Sequence, residues 1–460
     1  MSIPPLKTSL GLANLAINSS LTLARQLLGG LLGFVTVVIV ARILGPEGNG
    51  QYAVAMLLPS MLASFLNFGI SPANVYYLGS GKVNTATVLY AIFTLFIIIA
   101  LAGIGIGVLC IIFFGNIWFP GIPSKILWLA LIIFPISLLQ TFLSGIFQCL
   151  QKFRIYNMIL LAQPLTTLIA VVAITLIHKC CLENIIFAII GSSLFVLTLT
   201  MVKVCREIDV KRNEVSATEV KRYIRKATSY GIRAHLSNIL TFINYKADIF
   251  LVNFLINPSA AGIYIIAVRI VERLWLLSQS VGIVLFPRLS ELSSEELKRK
   301  MITPIIARSV IFMTLVSALV LACLATPLVH IFFGEAYLQV IPALLILLPG
   351  ITAIAGARIL TNDIASRGKP EFNMYCSLII VTVNIAGNFL LIPRFGLEGA
   401  ALATTIAYTL YLILSLVVYK QLSGNHYLDS LIFRTNDLRM LTTTVKKMLA
   451  RKNSGATRDL

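Results

Sequence analysis

Residues 86–114 read ATVLYAIFTLFIIIALAGIGIGVLCIIFF, twenty-nine positions without a single charge. As a helix this run exceeds the ~20 apolar residues that cross ~30 Å of hydrocarbon. A membrane β-strand would be shorter and would alternate in polarity. The rest of the 460-residue chain follows suit: 58% of residues are hydrophobic and 12% charged, against roughly 45–50% and roughly 25% in soluble domains. Too few charges exist to wet a compact fold of this size, so the chain reads as an all-α polytopic membrane protein. Twelve spans are expected, near 18–40, 50–70, 86–114, 124–147, 155–177, 183–204, 231–256, 259–286, 305–333, 337–360, 373–393 and 397–419. The opening Met-Ser-Ile-Pro-Pro lacks a charged region followed by a cleavage site, so the first span is expected to remain as an anchor.

Net charge is +19, from 37 Lys and Arg against 18 Asp and Glu. In a soluble protein that balance would suggest nucleic acid. Here the distribution argues for membrane topology instead. With both termini cytoplasmic, 26 of the basic residues fall in inner segments and 4 (Arg42, Lys125, Lys179 and Arg394) in outer loops. Cytoplasmic loops collect Lys and Arg, so an even number of spans with both ends inside is expected.

The chain also repeats. Gly45-Pro46-Glu47-Gly48-Asn49-Gly50-Gln51-Tyr52-Ala53-Val54-Ala55 aligns with Asn257-Pro258-Ser259-Ala260-Ala261-Gly262-Ile263-Tyr264-Ile265-Ile266-Ala267, sharing Pro, Gly, Tyr and Ala at one offset of 212 residues. Each copy lies between the first and second span of a six-span half, which predicts parallel repeats about an axis along the membrane normal. The expected organisation is a six-helix lobe at 1–204, a basic cytoplasmic linker with an amphipathic helix at 205–229, a second six-helix lobe at 230–420 and a basic cytoplasmic tail at 421–460. Ser216 and Glu219 have capping-box spacing, as do Ser293 and Glu296. The linker helix and the tail segment with Leu438, Leu441, Val445, Met448 and Leu449 place basic residues beside apolar ones, which suits anionic inner-leaflet lipids.

Several chemistries are absent. Gly79-Ser80-Gly81-Lys82 lacks the first glycine and the final Ser/Thr of a phosphate-binding loop. Gly103, Gly105 and Gly107 lie inside an apolar span and suit close helix packing. Seven cysteines form no CxxC pair or His/Cys cluster, and the four histidines are scattered. No cofactor, metal or nucleic-acid partner is expected, nor an enzyme.

Polarity concentrates on single faces of spans. Asn18, Thr22 and Arg25 align on the first, Ser60, Ser64 and Asn67 on the second. Ser137, Thr141 and Ser144, with Gln140 beside them, align on the fourth, and Asn373, Asn384 and Asn388 on the eleventh. One such stripe is ordinary helix-to-helix glue. Stripes from both halves predict a shared hydrated lining, whose amides and hydroxyls suit a polyhydroxylated ligand. On the seventh span Arg233 and Asp248 share a face and Lys246 occupies another; on the eighth, Arg269, Glu272 and Arg273 cluster. A charge at the bilayer centre costs ~2.5–3.5 kcal/mol on the lenient insertion scale. Arg25, Lys246, Arg269, Arg273, Arg233 and Arg358 face only Asp248 and Glu272, a surplus of positive charge within the spans.

Ala41-Arg42-Ile43-Leu44-Gly45-Pro46-Glu47-Gly48-Asn49-Gly50-Gln51-Tyr52 and Lys246-Ala247-Asp248-Ile249-Phe250-Leu251 resemble the multidrug/oligosaccharidyl-lipid/polysaccharide exporter superfamily, and within it the bacterial polysaccharide flippases (Wzx-like O-antigen and exopolysaccharide translocases). Ala261-Gly262-Ile263-Tyr264, Phe286-Pro287-Arg288-Leu289 and Gly396-Leu397-Glu398-Gly399-Ala400-Ala401 extend the resemblance over roughly 10–420. It implies a V-shaped, two-lobed bundle with alternating access. The implied cargo is an undecaprenyl-pyrophosphate-linked oligosaccharide, flipped across the bacterial cytoplasmic membrane, with a polysaccharide polymerase and chain-length proteins as partners. A cavity lined by the six cations would receive the pyrophosphate, since a guanidinium binds phosphate bidentately. Asp248 and Glu272 are the candidate sites of ion coupling, or else structural partners of nearby arginines. The competing readings are a peptidoglycan-precursor (lipid II) flippase, a cation-coupled multidrug antiporter and a non-transporting scaffold for glycan assembly.

Overall fold

The computed structural model describes residues 10–79, 81–177, 181–208, 215–291, 295–434 and 437. Fourteen α-helices follow one another, with no strand among the described residues. They are α1 (Leu10–Ala55), α2 (Leu57–Leu66), α3 (Ile70–Gly79), α4 (Thr85–Trp118), α5 (Ser124–Cys149), α6 (Phe153–Ile177) and α7 (Leu182–Glu207). Then come α8 (Ala217–Leu255), α9 (Pro258–Val271), α10 (Trp275–Glu291), α11 (Glu296–Phe333), α12 (Ile341–Ser366), α13 (Pro370–Ser423) and α14 (Tyr427–Leu431).

All twelve expected spans fall in these helices. Two pairs are joined without a loop. Gly45 (φ 66°, ψ −179°) splits α1 and Gly396 (φ 57°, ψ −130°) splits α13. Only glycine takes such dihedrals freely, so one residue turns one span into the next. Eight stretches are long and apolar enough to cross a membrane, and Leu21–Leu66 and Pro370–Ser423 each contain two spans. The remaining two, α8 and the α9–α10 pair, fall short because they carry the intramembrane charges or are broken. The second span differs from expectation. It is not a continuous helix over 50–70: it breaks at Asn67–Gly69, where Phe68 and Gly69 take positive φ, and continues to Gly79. The eighth is interrupted by the 3₁₀ turn Glu272–Leu274.

Contacts divide the chain into two units. One holds the residues up to Ile266 together with Pro327–Val340 and Asn388–Ala400; the other holds Ala267–Thr326, Ile341–Gly387 and the residues from Ala401 on. This division differs from a boundary within 205–229, because α8 packs with the first unit. Gly231 and Gly69 approach so closely that a Cβ on Gly69 would sit 2.3 Å from the Gly231 carbonyl oxygen. His235 Nε2 lies 2.8 Å from the Phe65 carbonyl beside the α2–α3 break, and Tyr223 donates to Asn74 at 2.6 Å.

Within the first unit α5 forms the core, with Phe134, Phe142 and Phe147 fully buried. Gly103 and Gly107 make room for Phe134 and Leu131, whereas Gly105 meets nothing within 4 Å. Helix packing thus accounts for two of the three glycines. The second unit packs Leu289, Ala307, Ala355, Ile359 and Leu360 around Tyr419.

Candidate functional site

The two copies of the repeated motif meet face to face inside the first unit. A Cβ on Gly50 would lie 1.7 Å from the Pro258 carbonyl oxygen, and one on Gly262 would lie 1.9 Å from that of Pro46. Buried Asn49 donates to the Gly262 carbonyl at 2.9 Å. Around this crossing Gln51 donates to Gly121 O at 3.1 Å and Asn253 to Pro120 O at 3.3 Å. Arg42 donates to the carbonyls of Ile331 and Phe332. These are the last turn of α11, whose orphan acceptors a cation satisfies. Tyr337 donates to Ala41 O at 2.9 Å. The glycines therefore serve close backbone approach.

The expected intramembrane charges occupy distinct settings. In the first unit Arg25 is half-buried and its buried Nε has no hydrogen-bond partner among the described residues. One turn earlier Thr22 accepts from Asn157 of α6 at 3.1 Å. Asp248 is buried, accepting from Tyr264 Oη at 3.0 Å and from the Ile249 amide at 2.8 Å. It is thus held by the second repeat motif and not by an arginine. Lys246, on another face of α8, lines a pocket of aromatic rings. The side chains of Asn18 and Arg233 lie outside the described residues.

In the second unit the broken eighth span gathers charge. Arg269 and Glu272 are 3.9 Å apart at i,i+3, and half-buried Arg273 follows in the 3₁₀ turn. The next helix opens with Trp275, over whose ring the Arg358 guanidinium sits at 4.4 Å. Tyr408 flanks the same indole at 6.4 Å. Three guanidiniums and one carboxylate therefore surround a helix interruption, an electropositive element suited to an anion.

The polar stripes need correction as linings. Ser60, Ser137, Thr141 and Ser144 all donate to carbonyls three or four residues back in their own helices, the usual resort of hydroxyls in helices. The Ser64 carbonyl accepts from Asn67, whose Oδ1 accepts from the Gly69 amide. Asn67 therefore caps the α2–α3 break. Gln140 donates to Thr200 of α7 at 2.9 Å, and Asn384 to Thr404 at 3.4 Å. Asn373 donates to the Thr361 carbonyl at 2.9 Å. Ser144, Asn384 and Asn388 are buried and so line no open surface.

One polar cluster escaped the sequence. Fully buried Asp363 accepts from Arg299 Nε at 3.3 Å, from Thr303 at 2.6 Å and from Arg367, which also reaches Glu296 at 2.7 Å. Buried Arg308 holds Asp437 of the tail through two bonds of 2.6 and 2.5 Å. The i,i+4 spacing of Asp363 and Arg367 at a helix end was the readable signal.

Long apolar helices, glycine breaks and charged, interrupted spans define a multi-pass membrane protein of transporter architecture. The fold resembles that of a lipid II flippase, MurJ, in an inward closed conformation, with TM-score 0.70, 18% identity and coverage of 93% of this chain and 92% of that one. It also resembles an inward-facing multidrug resistance transporter of the MATE family, with TM-score 0.68, 14% identity and coverage of 88% and 98%. By sequence, residues 15–293 match the polysaccharide biosynthesis protein family, and the chain belongs to it. Among curated relatives, a probable low-salt glycan biosynthesis flippase of Haloferax volcanii is 23% identical over 212 residues, 45% of this chain and 43% of that one. An uncharacterized membrane protein of Methanocaldococcus jannaschii is 29% identical over 213 residues, 45% and 42% of the two chains. A capsular polysaccharide biosynthesis protein of Staphylococcus aureus is 31% identical over 149 residues, 32% and 38%. The aligned segments span less than half the length of these relatives.

Proposed function

We propose that this protein is a flippase that carries a lipid-linked oligosaccharide from the inner to the outer leaflet of a bacterial cytoplasmic membrane, for surface polysaccharide biosynthesis. The cargo in this reading is an undecaprenyl-pyrophosphate-linked oligosaccharide. The observation that carries it is the positive surplus in the broken eighth span: Arg269 and Arg273 with Glu272 between them, and Arg358 held over Trp275. A charge in hydrocarbon is retained where something answers it, and a pyrophosphate crossing the membrane needs neutralisation that a neutral sugar does not. Arginine binds it bidentately and stays protonated. Arg25, Lys246 and Arg233 would supply further positive charge along the route.

The two halves, 1–204 and 230–420, act in this reading as lobes that alternate access, with both termini, the 205–229 linker and the 421–460 tail on the cytoplasmic side. Anionic inner-leaflet lipids would hold the basic segments, and a polymerase and chain-length proteins would take the product. Asp248 and Glu272 remain the candidates for coupling to an ion gradient. The fold match to a lipid II flippase favours lipid II as the second reading, since that cargo carries the same headgroup.

The test is complementation of a flippase-deficient strain. Arg269→Ala and Arg273→Ala should abolish glycan export with protein retained in the membrane, and Lys at either site should restore it only in part. Normal export by both alanine variants would remove the pyrophosphate reading. Rescue of a strain depleted of its lipid II flippase would favour the second reading.

A further inference from the structure

The first unit holds a pocket of about 520 Å³ whose thirteen lining residues include seven aromatics and one ionisable group, Lys246. It is built where α2, the end of α4 and the end of α8 meet, with Phe389 from the segment after the eleventh span. Its walls are held apart by ring pairs. Phe65 meets Phe242 edge-on at 5.7 Å, Phe119 meets Phe250 edge-on at 5.9 Å, and Phe250 stacks with Phe254 at 6.2 Å. Such pairs fix ring orientation, so the pocket is formed before a ligand enters. Trp118 and Phe389 are exposed at its edge, which opens it toward lipid. Lys246 stands nine residues before the end of α8, about 13 Å along the axis. The pocket therefore lies toward the membrane face that carries the Pro46 and Pro258 turns.

We propose that this pocket seats the polyprenyl chain of the carrier lipid, with Lys246 Nζ taking its phosphate. The inference rests on the glycan-flippase reading and adds a site to it. Ligand pockets are mostly apolar, with a few polar groups fixing orientation. Here the polar vocabulary is one cation and nothing else. A sugar would leave its hydroxyls unanswered, each at a desolvation cost. A polar drug would fare no better. A long hydrocarbon with a single anionic end matches the whole lining. Branched, unsaturated prenyl units fill the gaps between fixed aromatic walls, and the cation meets the phosphate at the chain's end. The glycan is then held elsewhere, and the pocket grips the part of the cargo that never leaves hydrocarbon.

The test uses the purified full-length protein in phosphatidylcholine nanodiscs, with undecaprenyl phosphate bearing no sugar as the probe and bound lipid counted by native mass spectrometry. One retained molecule per protein is expected. Lys246→Gln should weaken undecaprenyl phosphate at least tenfold while leaving the neutral alcohol undecaprenol unchanged. Ala247→Trp, which fills the pocket, should abolish retention of both; Met61→Trp fills it from α2 should the first variant not fold. Displacement of the probe mole for mole by phosphatidylglycerol would overturn the proposal, since the pocket would then be an acyl-lipid seat. Wild-type retention by the lysine and filled variants would overturn it too. Glycan export, measured separately in cells, reports on the flippase reading: its failure beside intact prenyl-phosphate binding sinks that reading and not the pocket.

Discussion

Arg308 and Asp437 show how a single pair can anchor a segment far along the chain. The Arg308 guanidinium hydrogen-bonded to Asp437 holds that carboxyl below the usual carboxylate range, with the Arg434 amide adding to the effect. A depressed folded value contributes stability above the unfolded value of about 3.9, lost only as pH falls through the folded one. Docking of the tail should therefore be constant between about pH 5 and 8 and be released only in stronger acid. Phe312 and Phe433 stack at 4.2 Å beside the pair, so cysteines at those positions should cross-link across that range. Arg308→Gln should abolish the cross-link at every pH, because breaking a buried pair costs about 3–5 kcal/mol. Tyr264→Phe is expected to lower stability by about 1–3 kcal/mol, since it deprives buried Asp248 of a donor; thermal melting in detergent checks this. Asp248 was legible as an intramembrane acid, but its partner was not, because periodicity places a residue on a face without saying what crosses from the next helix. Asp363 went unread for a related reason. It lies just past the apolar run at 337–360, where a charge looks solvated until Arg299 and Thr303 arrive from α11.

At the scale of elements, hydropathy located every span, because about 20 apolar residues have few alternatives to a membrane helix. It failed where backbone detail decides the outcome. Helix continues straight through Pro46 and Pro393, since the turn is made by the preceding or following glycine. The break at Asn67–Gly69 follows from Phe68 and Gly69 taking positive φ, and no periodic signal marks it. The repeated Pro and Gly pointed to close approach, and the approach is between the two copies themselves. Gly50→Ala and Gly262→Ala should each sharply reduce membrane protein level, because the added Cβ would fall within 2 Å of carbonyl oxygens that cannot move independently. Gly105→Ala, with nothing within 4 Å, should leave level and melting temperature unchanged. Equal yields for all three variants would contradict the packing described. The polar stripes mark the opposite failure: their hydroxyls turned back onto their own helices, so face-sharing alone overstated a hydrated lining.

For the whole molecule, topology and transport are the open quantities. The cation distribution expects both termini and the linker inside, so cysteine at 215 should resist membrane-impermeant labelling in intact cells, and labelling there would reverse the orientation. Composition sufficed to exclude a soluble enzyme, and the repeat was visible at one offset. The grouping of α8 with the first unit was not, because it rests on Gly69 against Gly231, a contact no periodicity encodes. The most direct measurement is translocation in proteoliposomes loaded with a polyprenyl-pyrophosphate oligosaccharide, read as protection of the sugar from an external glycosidase. The wild type should move cargo across the bilayer, and the Arg269→Ala/Arg273→Ala double variant, reconstituted at equal density, should not. Equal movement by the double variant, or none by the wild type above protein-free vesicles, would contradict a flippase that neutralises its cargo with intramembrane arginines.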